Sequence, residues 1–256
     1  MPAAESGGFT LVSRAGGQVG QFDALGRLPG LVHAVTTRRG LDVGLAKSDP
    51  AAAAMQVAED LGLDAVAFCN QAHGAEVIRV ASGGPVGDGD ALVTAQAGVG
   101  VMGFAADCPL VLAADASGPA VGVAHASWRG TVRGVARRMI EQLNAAFGTD
   151  PSDVVACIAP SAGPCCYEIG PDVLDAAVRH LGLAAEHFFR ERRPGTFVFD
   201  LWAANRDQLI RAGVRPGNVH VAGLCTICRN DLFPSYRAEG PAAGRFVAAI
   251  GIEGER

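Results

Sequence analysis

The sequence predicts an α+β fold in which mixed β-sheets are flanked by helices. Three observations lead there. Short runs rich in valine, alanine and isoleucine crowd the middle of the chain, and a clear helix-period segment follows Gly130. The two kinds of element are also mixed without the strict βαβ alternation of a doubly wound sheet. In chain order, Asp49-Pro50 opens a helix reaching residue 60, because Asp caps well and Pro is tolerated at the first helical position; Leu61-Gly62 closes it. β-Type runs follow at 66–70, 76–80, 99–104, 110–114 and 120–125. Turns such as Ser82-Gly83-Gly84-Pro85 and Gly87-Asp88-Gly89-Asp90 separate them, with Asp90 read as fixing its own turn. In the next helix Val132, Val135, Ala136, Met139, Ile140 and Leu143 share one face, and Gly130 or Thr131 serves as its cap. Two more helices are expected at 171–180 and 200–211, and strands at 154–158, 219–221 and 246–250.

Composition excludes several functions. The 256 residues carry 21 Lys+Arg against 26 Asp+Glu, a net charge of −5, which argues against a nucleic-acid partner. Only one of the basic residues is a lysine, Lys47, so any anion clamp must be built from arginine. A 49% hydrophobic and 18% charged composition describes a chain that buries a sizeable core. The longest apolar stretch, residues 97–106, is about half of what a bilayer requires, and no secretory leader is read at the N-terminus. No linker or repeat divides the chain. The expectation is a soluble cytoplasmic protein without a membrane partner, a single domain over 1–256, with a monomer favoured.

The six histidines and seven cysteines carry the chemistry. An odd cysteine count without an export signal argues against a disulfide framework and turns attention to metals and thiols. His73 follows a strand in Asn70-Gln71-Ala72-His73-Gly74, His125 ends the run 121–125, and Cys108 sits at a strand interruption in Ala106-Asp107-Cys108-Pro109. A set of two histidines and a cysteine with an open fourth position is what catalytic zinc needs. The spacing matches no compact metal motif, however, and two buried histidines beside an inert cysteine remain the competing reading. Beside these, Trp128-Arg129-Gly130-Thr131 opens a helix, so free N–H groups and a guanidinium share one end, suited to phosphate; a plain salt bridge at Arg129 is the alternative. Cys225-Thr226-Ile227-Cys228 looks like half a zinc ribbon and Cys165-Cys166 like the other half, but adjacent cysteines make poor partners for one tetrahedral ion, so no second metal is expected.

Six motifs taken in order carry a resemblance: Asn70-Gln71-Ala72-His73-Gly74, Asp90-Ala91-Leu92-Val93-Thr94, Ala106-Asp107-Cys108-Pro109, His125-Ala126-Ser127-Trp128-Arg129-Gly130, Gly163-Pro164-Cys165-Cys166-Tyr167-Glu168, and Phe233-Pro234-Ser235-Tyr236-Arg237 followed by Gly244-Arg245. Together, over about residues 32–250, the chain resembles the YfiH/laccase-domain family, also called the polyphenol oxidase or purine nucleoside phosphorylase family. The resemblance implies a zinc-dependent enzyme that phosphorolyses adenosine, inosine, guanosine or methylthioadenosine and also deaminates adenosine, with a purine nucleoside and phosphate as its partners. It places the metal ligands at His73, Cys108 and His125. Two departures stand out: Ser127 replaces a usual glycine, and Thr37-Arg38-Arg39-Gly40-Leu41 lacks the second glycine of its pattern, with the following loop shortened to Asp42-Val43-Gly44-Leu45.

On this reading Arg129 holds phosphate and Asp107 carries a proton or orients its neighbour Cys108. Arg38 and Arg245 are further substrate-binding candidates. Three rivals follow. In a hydrolase or peptidoglycan-precursor editing enzyme, Cys108 would be the nucleophile and His125 its base. In a copper polyphenol oxidase, Met102 would be an axial ligand, although the chain has no His-x-His. In a non-enzymatic protein the metal would be structural.

Overall fold

The computed structural model describes residues 8–14 and 16–254. Three sheets organise the chain. The strand order of the largest is Phe9–Arg14, Gly17–Phe22, Leu31–Thr36, Phe246–Ile252, Val99–Ala105, Ala65–Gln71 and Gly84–Gly89. That of the second is Val219–Val221, Val154–Ile158, Leu110–Asp115, Val121–His125, Ala91–Thr94 and Val77–Arg79. Both are mixed: Ala65–Gln71 runs parallel to both its neighbours, and Val77–Arg79 is parallel to Ala91–Thr94, amid antiparallel pairs. A small third sheet joins Glu168–Ile169, Thr196–Phe199 and Phe189–Arg193. The α+β expectation therefore holds. No helix among the described residues is long and apolar enough to cross a membrane.

The two large sheets face each other over a core drawn from both, including Phe22, Val35, Leu110, Leu112, Val123, Phe246 and Ile250. On the outer face of the second sheet, Val111, Ala113 and Ala124 pack against Met139, Ile140 and Leu143 of the helix Val135–Phe147. On the outer face of the first, Ala34, Met102, Val247 and Ala249 pack against Ala53, Val57 and Leu61 of the helix Pro50–Leu61. Strands apolar on both faces read as continuous hydrophobic runs, which is why the central ones were visible in the sequence.

Helix ends behave as capping chemistry requires, with one correction. Asp49 Oδ1 accepts the Ala52 N–H at 3.0 Å, and Gly62 takes a left-handed conformation at the other end of that helix. The segment after residue 127 is two helices rather than one. Ser127, not Gly130 or Thr131, caps Trp128–Val132 by accepting the Gly130 N–H at 3.1 Å. Gly134, at φ 80°, then turns the chain before Val135–Phe147 begins. Gly84–Gly89, read as turns, is instead an edge strand with an irregular register, a place that tolerates Gly and Pro.

Candidate metal centre

Two loops and a strand end, at one end of the paired sheets, bring the candidate ligands together. His73 follows the strand Ala65–Gln71 of the first sheet, and His125 is the last residue of Val121–His125 in the second. Cys108 lies where the chain crosses from Val99–Ala105 in the first sheet to Leu110–Asp115 in the second. One donor atom from each of the three lies within 4.8 Å of the other two. The imidazole rings meet edge to face, with centroids 4.8 Å apart. His73 is exposed at the rim, Cys108 half-buried and His125 buried. Among the described residues only His73 (φ 57°) and Asp107 (φ 97°) are non-glycines with positive φ. Such strain persists only where surrounding contacts enforce it, and it tends to gather at functional sites. Gly130 permits the close approach of the neighbouring helix, since a Cβ there would meet the Gly74 carbonyl oxygen at 2.8 Å.

Asp90 organises the pair of imidazoles. The strand register sets Ala91 opposite Ala124, which leaves Asp90 beside His125. Its Oδ1 lies 2.9 Å from His125 Nδ1, while its Oδ2 accepts the Gly74 N–H at 2.6 Å. A carboxylate behind one ring nitrogen fixes the tautomer and aims the other nitrogen at a metal. Burial opposes a charge on His125, but the adjacent Cys108 sulfur and the Asp90 carboxylate override it and raise its pKa to about 9. At the rim the balance reverses. Burial first, then the charge on His125, hold His73 below its ordinary value; Arg129 and Arg245 act in the same sense and Asp90 against it.

The His125 shift has a consequence for the metal-free protein. A group whose pKa rises on folding from 6.5 to about 9 contributes stability that is complete below pH 6.5 and is lost as the pH climbs toward 9. The melting temperature of chelator-treated protein is therefore expected to fall across that window, and His125→Gln should remove this contribution to the slope. Thermal scans at constant ionic strength test it; an unchanged slope in the variant would refute it.

Asp107, beside Cys108, is buried with both carboxylate oxygens engaged. Oδ1 accepts the Thr226 hydroxyl and Oδ2 the Arg237 backbone N–H, each at 2.7 Å. Arg245 lines the adjoining cavity of about 720 Å³, together with His73, Cys108, His125, Tyr167 and Arg237. Phe68, Phe104 and Pro85 supply apolar wall, and Ala46 and Lys47 bring the shortened loop region to its edge. Arg38 is placed elsewhere: its guanidinium is held by Glu239 and donates to the Asn230 carbonyl at 2.8 Å, so it is not among the lining residues. Arg129 is exposed over the Trp128 ring, 4.5 Å from its centroid, and also lies outside the lining, although its charge is felt at His73. The five-residue helix it stands on presents an N-terminus already capped by Ser127. Met102 is buried in the apolar cluster under Pro50–Leu61, away from the cavity lining. The sequence reading missed Asp90, Tyr167 and Arg237 as site residues. Only the motif positions of these three hinted at them, since their partners lie far away in sequence.

Both the sequence and the central sandwich have counterparts among known proteins. The chain belongs to the multi-copper polyphenol oxidoreductase laccase family, whose model matches residues 33–253. It is 36% identical to the purine nucleoside phosphorylase YlmD of Geobacillus stearothermophilus over 83% of this chain and 82% of that one. It is also 36% identical to a purine nucleoside phosphorylase of Deinococcus radiodurans, over 88% and 92%. Among solved structures, Bacillus licheniformis YfiH superposes with a TM-score of 0.83 at 26% identity, covering 95% of this chain and 99% of the other.

Proposed function

We propose that this chain, as a single domain, is a zinc-dependent purine nucleoside phosphorylase that takes adenosine, inosine, guanosine or methylthioadenosine, and that the same site deaminates adenosine. The observation that carries the reading is the convergence of His73, Cys108 and His125 on one point in the cavity lining, with Asp90 behind His125. Two imidazole nitrogens and one thiolate suit zinc with a position left open. Copper of the blue type would want an axial thioether, and Met102 lies in the core instead. When bound, zinc supplies a Lewis acid and an activated water.

The protein's own side chains do the rest. A cavity of about 720 Å³ falls within the roughly 300–1,000 Å³ typical of small-molecule sites. Phe68, Phe104 and the half-exposed Tyr236 offer faces for a purine. Arg245 and Arg237 bring positive charge to the cavity and hold phosphate against the ribose C1′, with Arg129, outside the lining, adding to the potential at His73. A phosphate oxygen then forms the new bond as the C1′–N bond breaks and its electron pair leaves with the base, which takes up a proton. Tyr167 lines the cavity, and burial pushes the pKa of its phenol upward, which leaves its O–H available to donate to the substrate. Asp107, fully occupied by Thr226 and Arg237, works as a positioning residue rather than as a proton carrier.

Metal-loaded protein incubated with adenosine, inosine and methylthioadenosine, each with and without phosphate, tests the reading. Free base that appears only with phosphate supports phosphorolysis, and ammonia from adenosine in both conditions supports deamination. Neither product under any condition would overturn it. Arg245→Ala is expected to raise the KM for phosphate about tenfold or more, the scale of one lost charge-assisted hydrogen bond. Steady-state kinetics in phosphate show whether it does. One observation favours a second reading. Asp90, His125 and Cys108 line up as orienter, base and nucleophile of a cysteine hydrolase.

A further inference from the structure

Four of the remaining cysteines meet where two loops flank Asp107. Cys165 and Cys166 lie between the strands Val154–Ile158 and Glu168–Ile169; Cys225 and Cys228 follow the strand Val219–Val221. Adjacency of Cys165 and Cys166 spoke against a shared ion in the sequence, yet the fold overrides that objection. All four Sγ atoms lie within 4.8 Å of one another, with Cys166 3.4 Å and Cys165 3.7 Å from Cys228. Four sulfurs around zinc at about 2.3 Å stand about 3.8 Å apart along each edge of their tetrahedron. A disulfide would instead require about 2.05 Å between two of them.

The surroundings suit thiolates. Gly163 donates its N–H to Cys225 Sγ at 3.3 Å, and the N–H groups of Ile227 and Cys228 are aimed at the same sulfur. Amides wrapped around the first sulfur of a Cys-x-x-Cys turn stabilise its anion. Arg192 donates to the Cys165 carbonyl at 3.1 Å and so places a cation beside the cluster. We propose that Cys165, Cys166, Cys225 and Cys228 hold a second zinc ion as a closed, structural tetrathiolate, separate from the cavity.

Its role follows from the residues next to the sulfurs. Ser161 and Cys225 form a β-bridge; Ala162 donates to the Asp107 carbonyl at 2.8 Å and Thr226 to the Asp107 carboxylate at 2.7 Å. The knot therefore ties together the two arms that hold Asp107 in its positive-φ conformation next to Cys108. Full-length Cys108→Ser protein, purified anaerobically with zinc present, isolates this site whatever the cavity does. The expected result is one zinc per chain with four sulfur neighbours by X-ray absorption, and four thiols that react with a thiol reagent only after chelation. Cobalt substitution should give the visible bands of a tetrahedral tetrathiolate. Cys166→Ser in that background, at a half-exposed position, should weaken them and release the metal to a weaker chelator. Zinc absent from the Cys108→Ser protein, zinc with nitrogen or oxygen neighbours, or a Cys166–Cys228 disulfide after anaerobic purification would each overturn the proposal.

Discussion

Cys108→Ser is expected to lose one equivalent of metal and with it phosphorolysis. A serine hydroxyl is a far weaker zinc ligand than a thiolate, and the loss should exceed the roughly 10–100-fold that removal of an outer partner costs. Activity alone would not separate this from the hydrolase reading, in which the same substitution removes the nucleophile. His73→Ala separates them. Its imidazole is one of three converging donors in the metal reading but has no part in an Asp90–His125–Cys108 triad. Loss of metal and of turnover in both variants supports the zinc site. A His73→Ala protein that keeps its activity, or a Cys108→Ser protein that keeps its full metal content, would remove it. Because the proposed tetrathiolate would retain its own ion, metal must be counted per chain, with the expected change being one equivalent.

How much of this was visible in the chain differs between fold and site. Runs such as 110–114, 121–124, 154–158 and 246–250 carry no polar side chain because both sheets are covered on both faces, and such runs announce themselves. The hairpin Phe9–Arg14 with Gly17–Phe22 is polar on one side and rich in Gly and Gln, so it carried no comparable signal. The break at Gly134 was hidden because the apolar positions on either side of it happen to keep helical spacing. At the site, His73, Cys108 and His125 were each legible as residues at strand ends. What joins them was not. Asp90 reaches His125 through the register of two antiparallel strands, across 35 positions of sequence. Arg38 looked free for phosphate because Glu239, which holds it, lies 201 residues later. The cysteine pairs were judged on their spacing along the chain, whereas a β-bridge between Ser161 and Cys225 decides their distance in space.

Asp90→Asn changes one atom and is expected to weaken metal binding about 10–100-fold. Asp90 is 1% exposed, and its two oxygens serve two donors, Gly74 N–H and His125 Nδ1–H. An amide offers one oxygen and one NH2 group. If the oxygen stays with Gly74, the NH2 faces His125 Nδ1 and favours the tautomer with its proton on Nε2, the nitrogen needed for the metal. If the oxygen turns to His125, two N–H groups collide at Gly74 and the positive-φ turn at His73 loses its anchor. Either arrangement disorders one of the two imidazoles. Leaving a buried donor without a partner costs about 1–3 kcal/mol, so the variant should also melt at lower temperature. Loss of the carboxylate should at the same time leave only the Cys108 sulfur to oppose burial, and so pull the His125 pKa down from about 9 in the metal-free protein. Titration of that imidazole by NMR, set beside a chelator-competition measurement of metal affinity, separates this wiring from a merely structural role for Asp90. A destabilised variant with unchanged metal affinity and an unshifted His125 would mean that the aspartate only fastens the turn at Gly74.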